Sequence, residues 1–460
     1  MRIAVVGGGI AGLAAARRLE ALLEDAELTL LEGDARLGGK LLTEHAAGFL
    51  VEGGPDSFLS RKARGQELCE ELGLGEELVG RRPENARTFV RRHGELHPLP
   101  AGLTGMVPTD LDALADNPLL SPEGRERLAA EVDLPPAPVG EDESVASFFT
   151  RRLGPEAYEN LVEPLTTGIY AGDGDRLSLA ATFPVLRALE LEHGSVITGL
   201  LAQPAPTGGA LPPFVALRSG LGTLVDALVG SLRRTTVRTA VPVTALERGG
   251  DGYVLMLAGL ERVQADGVVL ATPAFAAAEL LASLDRDLAD THAEIPYASS
   301  VLVSLGFRAA DVPHPLDGYG YVVPRAEGSD VLACSWTSSK WEGRAPAGSV
   351  LVRVHTGRFG ARDTSREPDD ELVVLAREEV GLLGITADPS FVRVHRWPRS
   401  MPQYVLGHVE RVERIEAALE AHAGLAVAGA AYRGVGVPDC IASGEAAAES
   451  LARVLAPVSG

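Results

Sequence analysis

MRIAVVGGGIAGLAAARRLE, residues 1–20, decides the fold. Arg2–Val6 read as a short strand buried on both faces, Gly7, Gly9 and Gly12 fill the glycine positions of a GxGxxG turn, and Ala11–Leu22 read as an alanine-rich helix. Each glycine has its own reason: the first turns the chain, the second lets backbone approach a pyrophosphate, and the third lets the helix lie close on the strand. The helix N-terminus then offers free N–H groups and partial positive charge to phosphates. A second strand, Glu27–Leu31, follows, and Glu32 stands twenty residues after Gly12, where a carboxylate accepts hydrogen bonds from an adenosine ribose. The stretch containing Gly7, Gly8, Gly9, Gly12 and Glu32 is read as a dinucleotide site.

The remaining composition narrows the class. At 460 residues the chain exceeds one compact core, so two or three lobes are expected. A net charge of −21, from 42 basic and 63 acidic residues, argues against nucleic acid and against general adhesion to anionic lipid. No run of eighteen apolar residues is present, and the first strand begins at residue 2 without a basic leader or cleavage site, so a cytoplasmic protein without a transmembrane segment is expected. Cys69, Cys334 and Cys440 are far apart and form no CxxC, which fits scattered buried thiols rather than a metal or redox centre. Only Lys40, Lys62 and Lys340 are lysines among the 42 basic residues, which marks them as candidates for sites that require a compact ammonium.

Downstream, Phe49–Glu52 read as a strand turning at Gly53, Gly54 and Pro55, and Gln66–Leu72 as an amphipathic helix. RTFVRRHGELHPLP reads as a hairpin about His93-Gly94. Residues 111–201 are more helical, interrupted by the loop DLPPAPVGEDES, with Ser144 as N-cap of VASFFTRRLG. From Phe214 the pattern returns to strands and helices: VRTAVPVTALERGGDGYVLML as a pair of strands, ADGVVLATP as a buried strand, and several strands of a mixed or antiparallel sheet between 299 and 357. A helix over 371–383 follows, and the chain closes with a buried strand, the turn GVGVP and a long helix. His97, His395 and His408 read as packing or loop histidines, because none has a partner at metal-ligand spacing. Tyr404 and Trp397 read as pocket walls.

EGDARLGGK, with Arg36, Gly38, Gly39 and Lys40 directly after Glu32, resembles FAD enzymes of the glutathione-reductase-like and amine-oxidase-like families rather than NAD dehydrogenases. FAD is therefore the expected cofactor. The closing strand–GxGxP–helix resembles flavoproteins whose last helix directs its N-terminus at the flavin pyrimidine, stabilising negative charge there. NLVEPLTTGIYAGD, HRWPRSMPQYVLGH, AGAAYRGVGVPDCI and GGPDSFLSRK together resemble, along the whole chain, the oxygen-dependent porphyrinogen oxidases of haem synthesis. That resemblance implies an α/β and α+β, amine-oxidase-like (p-hydroxybenzoate-hydroxylase-like) architecture. A Rossmann-like FAD-binding domain would comprise 1–80, 212–290 and 405–460, a mixed-sheet substrate-binding domain 81–105, 192–211 and 291–404, and an inserted helical lobe 106–191. Position by position, it implies FAD contacts at Gly7, Gly8, Gly9, Gly12, Glu32, Arg36, Gly39, Lys40, Gly54, Pro55, Asp56, Ser57, Val243, Trp397, Val435, Gly436 and Val437. It implies substrate contacts at Arg61, Lys62 and Gly168. Mitochondrial relatives place an arginine for a substrate propionate where LPAGLTGMVP has Thr104, whereas the Arg61-Lys62 pair is closer to the soluble coproporphyrinogen-type enzymes of bacteria. Acidic residues at the start of the lobe, from Asp110 to Glu131, also argue for a soluble form.

The implied reaction is six-electron oxidation of a porphyrinogen to a porphyrin, hydride passing from a meso carbon to flavin N5, with no catalytic side chain and O₂ as electron acceptor. Coproporphyrinogen III is the favoured substrate and protoporphyrinogen IX the alternative. Four propionates call for more cations at the mouth than two, and Arg61, Lys62, Arg64, Arg81, Arg82, Arg91 and Arg92 are candidates. An amine or carotenoid oxidoreductase of the same architecture, or a flavin-binding scaffold without activity, stays open as a remoter reading. Transient contact with other haem-synthesis enzymes stays open as well.

Overall fold

The strand β1 (Arg2–Val6) occupies the middle of a five-stranded parallel sheet. β2 (Glu27–Leu31) lies on one side with Thr235–Arg238 beyond it, and Gly267–Leu270 lies on the other with Leu425–Val427 at the far edge. The computed structural model describes residues 1–138, 140, 142–203, 211–250 and 252–455. Positions 139 and 141 of the expected acidic loop, residue 251, and residues 204–210 and 456–460 of the expected domain segments lie outside the described residues.

Because strand side chains alternate, Ile3 and Val5 enter one core while Ala4 and Val6 enter another. On the first face lie α1 (Ile10–Leu22) and the closing helix Val437–Leu455. They cross so closely that a Cβ on Gly444 would stand 2.0 Å from the Ala11 carbonyl oxygen. Against the second face packs an antiparallel sheet of Val243–Gly249, Gly252–Leu257 and Arg262–Ala265. The sequence suggests two strands over residues 237–257; the fold makes three. Thr235–Arg238 pairs in parallel with β2, and only then does the chain leave for the hairpin. That pairing joins residues some two hundred positions apart and leaves no local trace.

The second large sheet has seven strands, in the order Phe391–Pro402, Tyr297–Arg308, Ser349–Thr356, Val331–Ser335, Gly320–Val322, Phe89–Arg92, Glu95–Pro98. Gly320–Val322 and Phe89–Arg92 run parallel and the other neighbours antiparallel, so the sheet is mixed. Val303, Tyr321, Cys334 and Val354 pack with helix Asp369–Gly381 on one face. Register places Val322, Ala333, His355, Leu302 and His395 in one row across the opposite face.

The described residues between 111 and 201 form a succession of short helices rather than long ones, packed around Phe148, Phe149 and Leu161. Ser144 caps Val145–Leu153 by accepting the Ser147 N–H at 3.1 Å, and a π-helical turn at Tyr158–Val162 leads into helix Glu163–Tyr170. Inside this lobe Arg152 pairs with Glu131, both fully buried. The elements combine a doubly packed dinucleotide fold, a mixed sheet and a helical lobe.

Candidate functional site: a groove between two sheets

Three glycines of the first turn differ in what surrounds them. A Cβ at Gly7, where φ is +105°, would stand 2.6 Å from the Ala271 carbonyl oxygen, and one at Gly12 would stand 1.9 Å from that of Gly7. The fold itself therefore accounts for both. Around Gly9 a Cβ would meet nothing within 4 Å, so its lack of a side chain leaves room for something outside the protein. Gly9 also precedes α1 without capping it through a side chain, and no acidic residue stands in the first turn. An anion fits that helix end.

Glu32 lies beside this turn. Its Oε2 accepts the Gly8 N–H at 2.6 Å and its Oε1 the Asp34 N–H at 2.8 Å, which leaves lone pairs on both oxygens for hydroxyl donors. Arg36 donates to the carbonyls of Leu37, Gly39 and Leu41 and so shapes the loop 36–41, with further guanidinium N–H groups left over. The loop returns to the turn through Gly38 N–H to Gly8 O, 2.8 Å, bringing Gly39 against Gly9. Lys40 is exposed, and desolvation by the surrounding protein pushes its ammonium down.

The turn at 53–57 closes on the same loop, with a Cβ on Gly54 falling 1.9 Å from the Lys40 carbonyl oxygen. Pro55 is exposed and Ser57 half-buried. Asp56 has partners of its own: its carboxylate binds Lys340 Nζ at 2.8 Å, Trp341 Nε1 at 3.2 Å and Arg353 at 3.3 Å, and accepts Ser57 Oγ–H at 2.7 Å. Burial alone would raise this carboxyl, but Lys340 and Arg353 outweigh it and hold it well below the usual range. With its oxygens so engaged, Asp56 has only its backbone left for further partners. Arg353 also donates to the Glu52 and Gly54 carbonyls, at 2.8 and 3.0 Å, and so ties the mixed sheet to the turn.

Trp397 Nε1 donates to the Gly53 carbonyl at 2.5 Å, bringing the edge strand of the mixed sheet to the 53–57 turn, while Val243 packs half-buried beside the core of the three-stranded antiparallel sheet. Val435, Gly436 and Val437 form the turn into the closing helix. Tyr404 braces that turn: its hydroxyl donates to Ala430 O and accepts the Gly434 N–H, both at 2.7 Å, and its ring stacks on His408 at 4.0 Å. At 1% exposure it is a strut, not the pocket wall the sequence suggests. His408 binds Tyr432 O at 2.9 Å and His395 binds Glu44 at 3.2 Å.

Gly168 lies exposed in helix Glu163–Tyr170, facing Val322 of the mixed sheet, with Ile169 exposed beside it. Lys62 begins helix Ala63–Glu71 and pairs with Asp439, in the first turn of the closing helix. Of the other cations expected at the mouth, Arg64 is held by Glu71 and Glu445, Arg91 by Glu379 and Glu327, and Arg82 by Glu84. Arg81 stacks between Phe214 and Tyr319, its guanidinium carbon 4.5 and 4.4 Å from the ring centres. Arg61 and Arg92 have no carboxylate partner among the described residues. Sequence reasoning missed Asp439 and Arg353 and did not pair Lys340 with Asp56, although it singled out Lys340 and Lys62 as surviving lysines and named Asp56.

The profile of the family described as flavin containing amine oxidoreductase matches residues 10–452. A Bacillus subtilis (strain 168) protein named coproporphyrinogen III oxidase is 37% identical over 458 residues, 97% of this chain and 96% of its own length. A rice (Oryza sativa subsp. japonica) protein named chloroplastic protoporphyrinogen oxidase is 31% identical, over 98% and 87%. A crystal structure of a protein from Exiguobacterium sp. 255-15 superposes with a TM-score of 0.88 at 34% identity, covering 98% of both chains.

Proposed function

Because the chain belongs to the flavin containing amine oxidoreductase family, we propose that it is an FAD-dependent oxidase acting on a porphyrinogen in haem synthesis, with coproporphyrinogen III preferred and O₂ as electron acceptor. The full-length likeness to relatives named for that substrate carries this reading, since it spans both lobes that flank the groove. The rice relative supports protoporphyrinogen IX as the second reading. Among the described residues no helix is long and apolar enough to cross a membrane.

FAD, rather than a shorter flavin, suits a groove that offers an uncapped helix end beside Gly9 for phosphates and free lone pairs on Glu32 for ribose hydroxyls. When bound, the flavin supplies the hydride acceptor. The chain's part is placement. Lys40, the backbone of Gly54 to Ser57, Trp397 and Val243 would hold the cofactor along the groove. The N-terminus of the closing helix, braced by Tyr404, would favour negative charge at the pyrimidine end. Gly168, Ile169 and Val322 would give the macrocycle an apolar seat without a side chain at its closest approach, and Lys62 and Arg61 would meet its carboxylates. His355, in the row with Val322, is held neutral, burial and then Arg353 pushing it down to about 3, so it adds no charge to the floor.

Anaerobic mixing with each porphyrinogen tests this: the flavin bleaches, porphyrin emission rises, and kcat/KM is higher for coproporphyrinogen III. A colourless, flavin-free preparation, or a flavin that neither porphyrinogen reduces, would overturn it. Equal kcat/KM for both substrates would remove the coproporphyrinogen preference alone.

A further inference from the structure

Lys62 Nζ stands 2.6 Å from each carboxylate oxygen of Asp439, and Asp439 Oδ2 also accepts the Gly436 N–H at 3.1 Å. The pair therefore joins the start of helix Ala63–Glu71 to the turn that opens the closing helix. Tyr170, two residues beyond Gly168, is close enough that burial and then the Asp439 charge push its hydroxyl up. The Tyr170 ring lies 6.2 Å from that of Tyr404, whose hydroxyl accepts the Gly434 N–H, so Lys62, the turn into the closing helix and the Gly168 segment lie close together. There Lys62 keeps 42% of its side chain exposed and Asp439 17%.

An ammonium has three N–H donors, and two already point at Asp439. A ligand carboxylate that takes two must displace Asp439 from at least one. Oxidising a porphyrinogen ring leaves its side-chain carboxylates untouched, so a cation that holds them binds substrate and product alike. Such uniform binding lowers KM without raising kcat, and it slows release of the product.

We propose that Asp439 is an internal competitor for Lys62: the ammonium exchanges between Asp439 and a carboxylate of the macrocycle, which caps the affinity for substrate and product alike. The proposal rests on the porphyrinogen reading above. Once the ligand takes Lys62, Asp439 keeps the Gly436 N–H and the helix N-terminus as partners, so its charge is not stranded.

The experiment titrates the flavin-loaded enzyme with coproporphyrin III, read by porphyrin fluorescence without turnover, and measures KM and kcat for coproporphyrinogen III. Asp439→Asn keeps an acceptor for Gly436 and removes the charge. It should tighten product binding about two- to fivefold, as expected for releasing a partly exposed ion pair, and lower KM and kcat together. Lys62→Ala should weaken product binding, and adding Asp439→Asn to Lys62→Ala should change nothing further. Asp439→Ser, which also retains a cap acceptor, gives the same comparison should the asparagine variant fail to hold flavin. Unchanged or weaker product binding in the charge-removed variants, or an equal effect in the Lys62→Ala background, would overturn the exchange. If the unmutated enzyme oxidises porphyrinogen while these variants behave so, only the exchange falls; if it bleaches with neither porphyrinogen, the functional reading falls first.

Discussion

Two lysine–aspartate pairs, Lys340–Asp56 and Lys62–Asp439, have N–O distances of 2.8 and 2.6 Å. Chemically they are the same pair. Asp56 is 7% exposed and is shared among Lys340, Arg353, Trp341 and Ser57, whereas Lys62 and Asp439 reach water. The first pair has two cations around one carboxylate in a dry interior, so no member can leave without stranding the others. In the second, water or another carboxylate can take over at small cost. Burial, more than the identity of the partners, separates an ion pair that holds the lobes together from one free to exchange.

The comparison breaks most readily at Asp56. Asp56→Ala leaves the charges of Lys340 and Arg353 facing each other and should cost about 3–5 kcal/mol, measured as the urea midpoint of the flavin-loaded protein. A loss below about 1 kcal/mol would place this pair with Lys62–Asp439. Acid sharpens the same contrast. His408, 1% exposed, is held down at about 4 by burial, against an unfolded value near 6.5, so the unfolded chain binds the extra proton. Stability should then be fullest above about pH 6.5 and fall toward pH 4 by up to about 1.4 kcal/mol per unit. His355 contributes in the same direction, down to about pH 3. Asp56, with its carboxyl held low, keeps its contribution until the pH drops below about 4. Denaturation between pH 7 and 4 should lose its slope in part in His408→Gln and be unchanged in shape in Lys62→Ala.

A smaller effect is expected at the strut. Tyr404→Phe leaves the Ala430 carbonyl and the Gly434 N–H without their shared hydroxyl, at about 1–2 kcal/mol, and should lower the temperature of flavin release by more than that of unfolding. Equal shifts in the two temperatures would show that Tyr404 supports the core alone and not the turn.

How much of this was legible in the sequence follows from the range over which each feature is determined. Gly7, Gly9, Gly12 and Glu32 lie within one strand–turn–helix–strand unit, so their meeting at one turn can be read from spacing. The hairpin at His93-Gly94 and the Ser144 cap are equally local. Thr235–Arg238 joining β2, Asp56 meeting Lys340, and Lys62 meeting Asp439 are pairings across hundreds of residues, which no period or cap records. Tyr404 misled for a related reason: an aromatic in a loop-rich motif suggests a wall, and only the fold shows its hydroxyl committed to two backbone groups. The scarcity of lysine was the one compositional trace of both ion pairs, and it named one partner of each without the other.

The smallest expected effect is the most discriminating. Lys62→Ala removes a half-exposed ammonium and leaves Asp439 with the Gly436 N–H and the helix N-terminus, so the unfolding midpoint should move by less than about 1 kcal/mol. The measurement is the urea midpoint of the flavin-loaded variant against the unmutated protein, at low and at high salt, where an exposed pair should lose even that small contribution. A destabilisation approaching that of Asp56→Ala, insensitive to salt, would mean that Asp439 cannot spare its partner. Lys62 would then be as firmly committed as Lys340, and a ligand carboxylate arriving at the groove would have no ammonium to win.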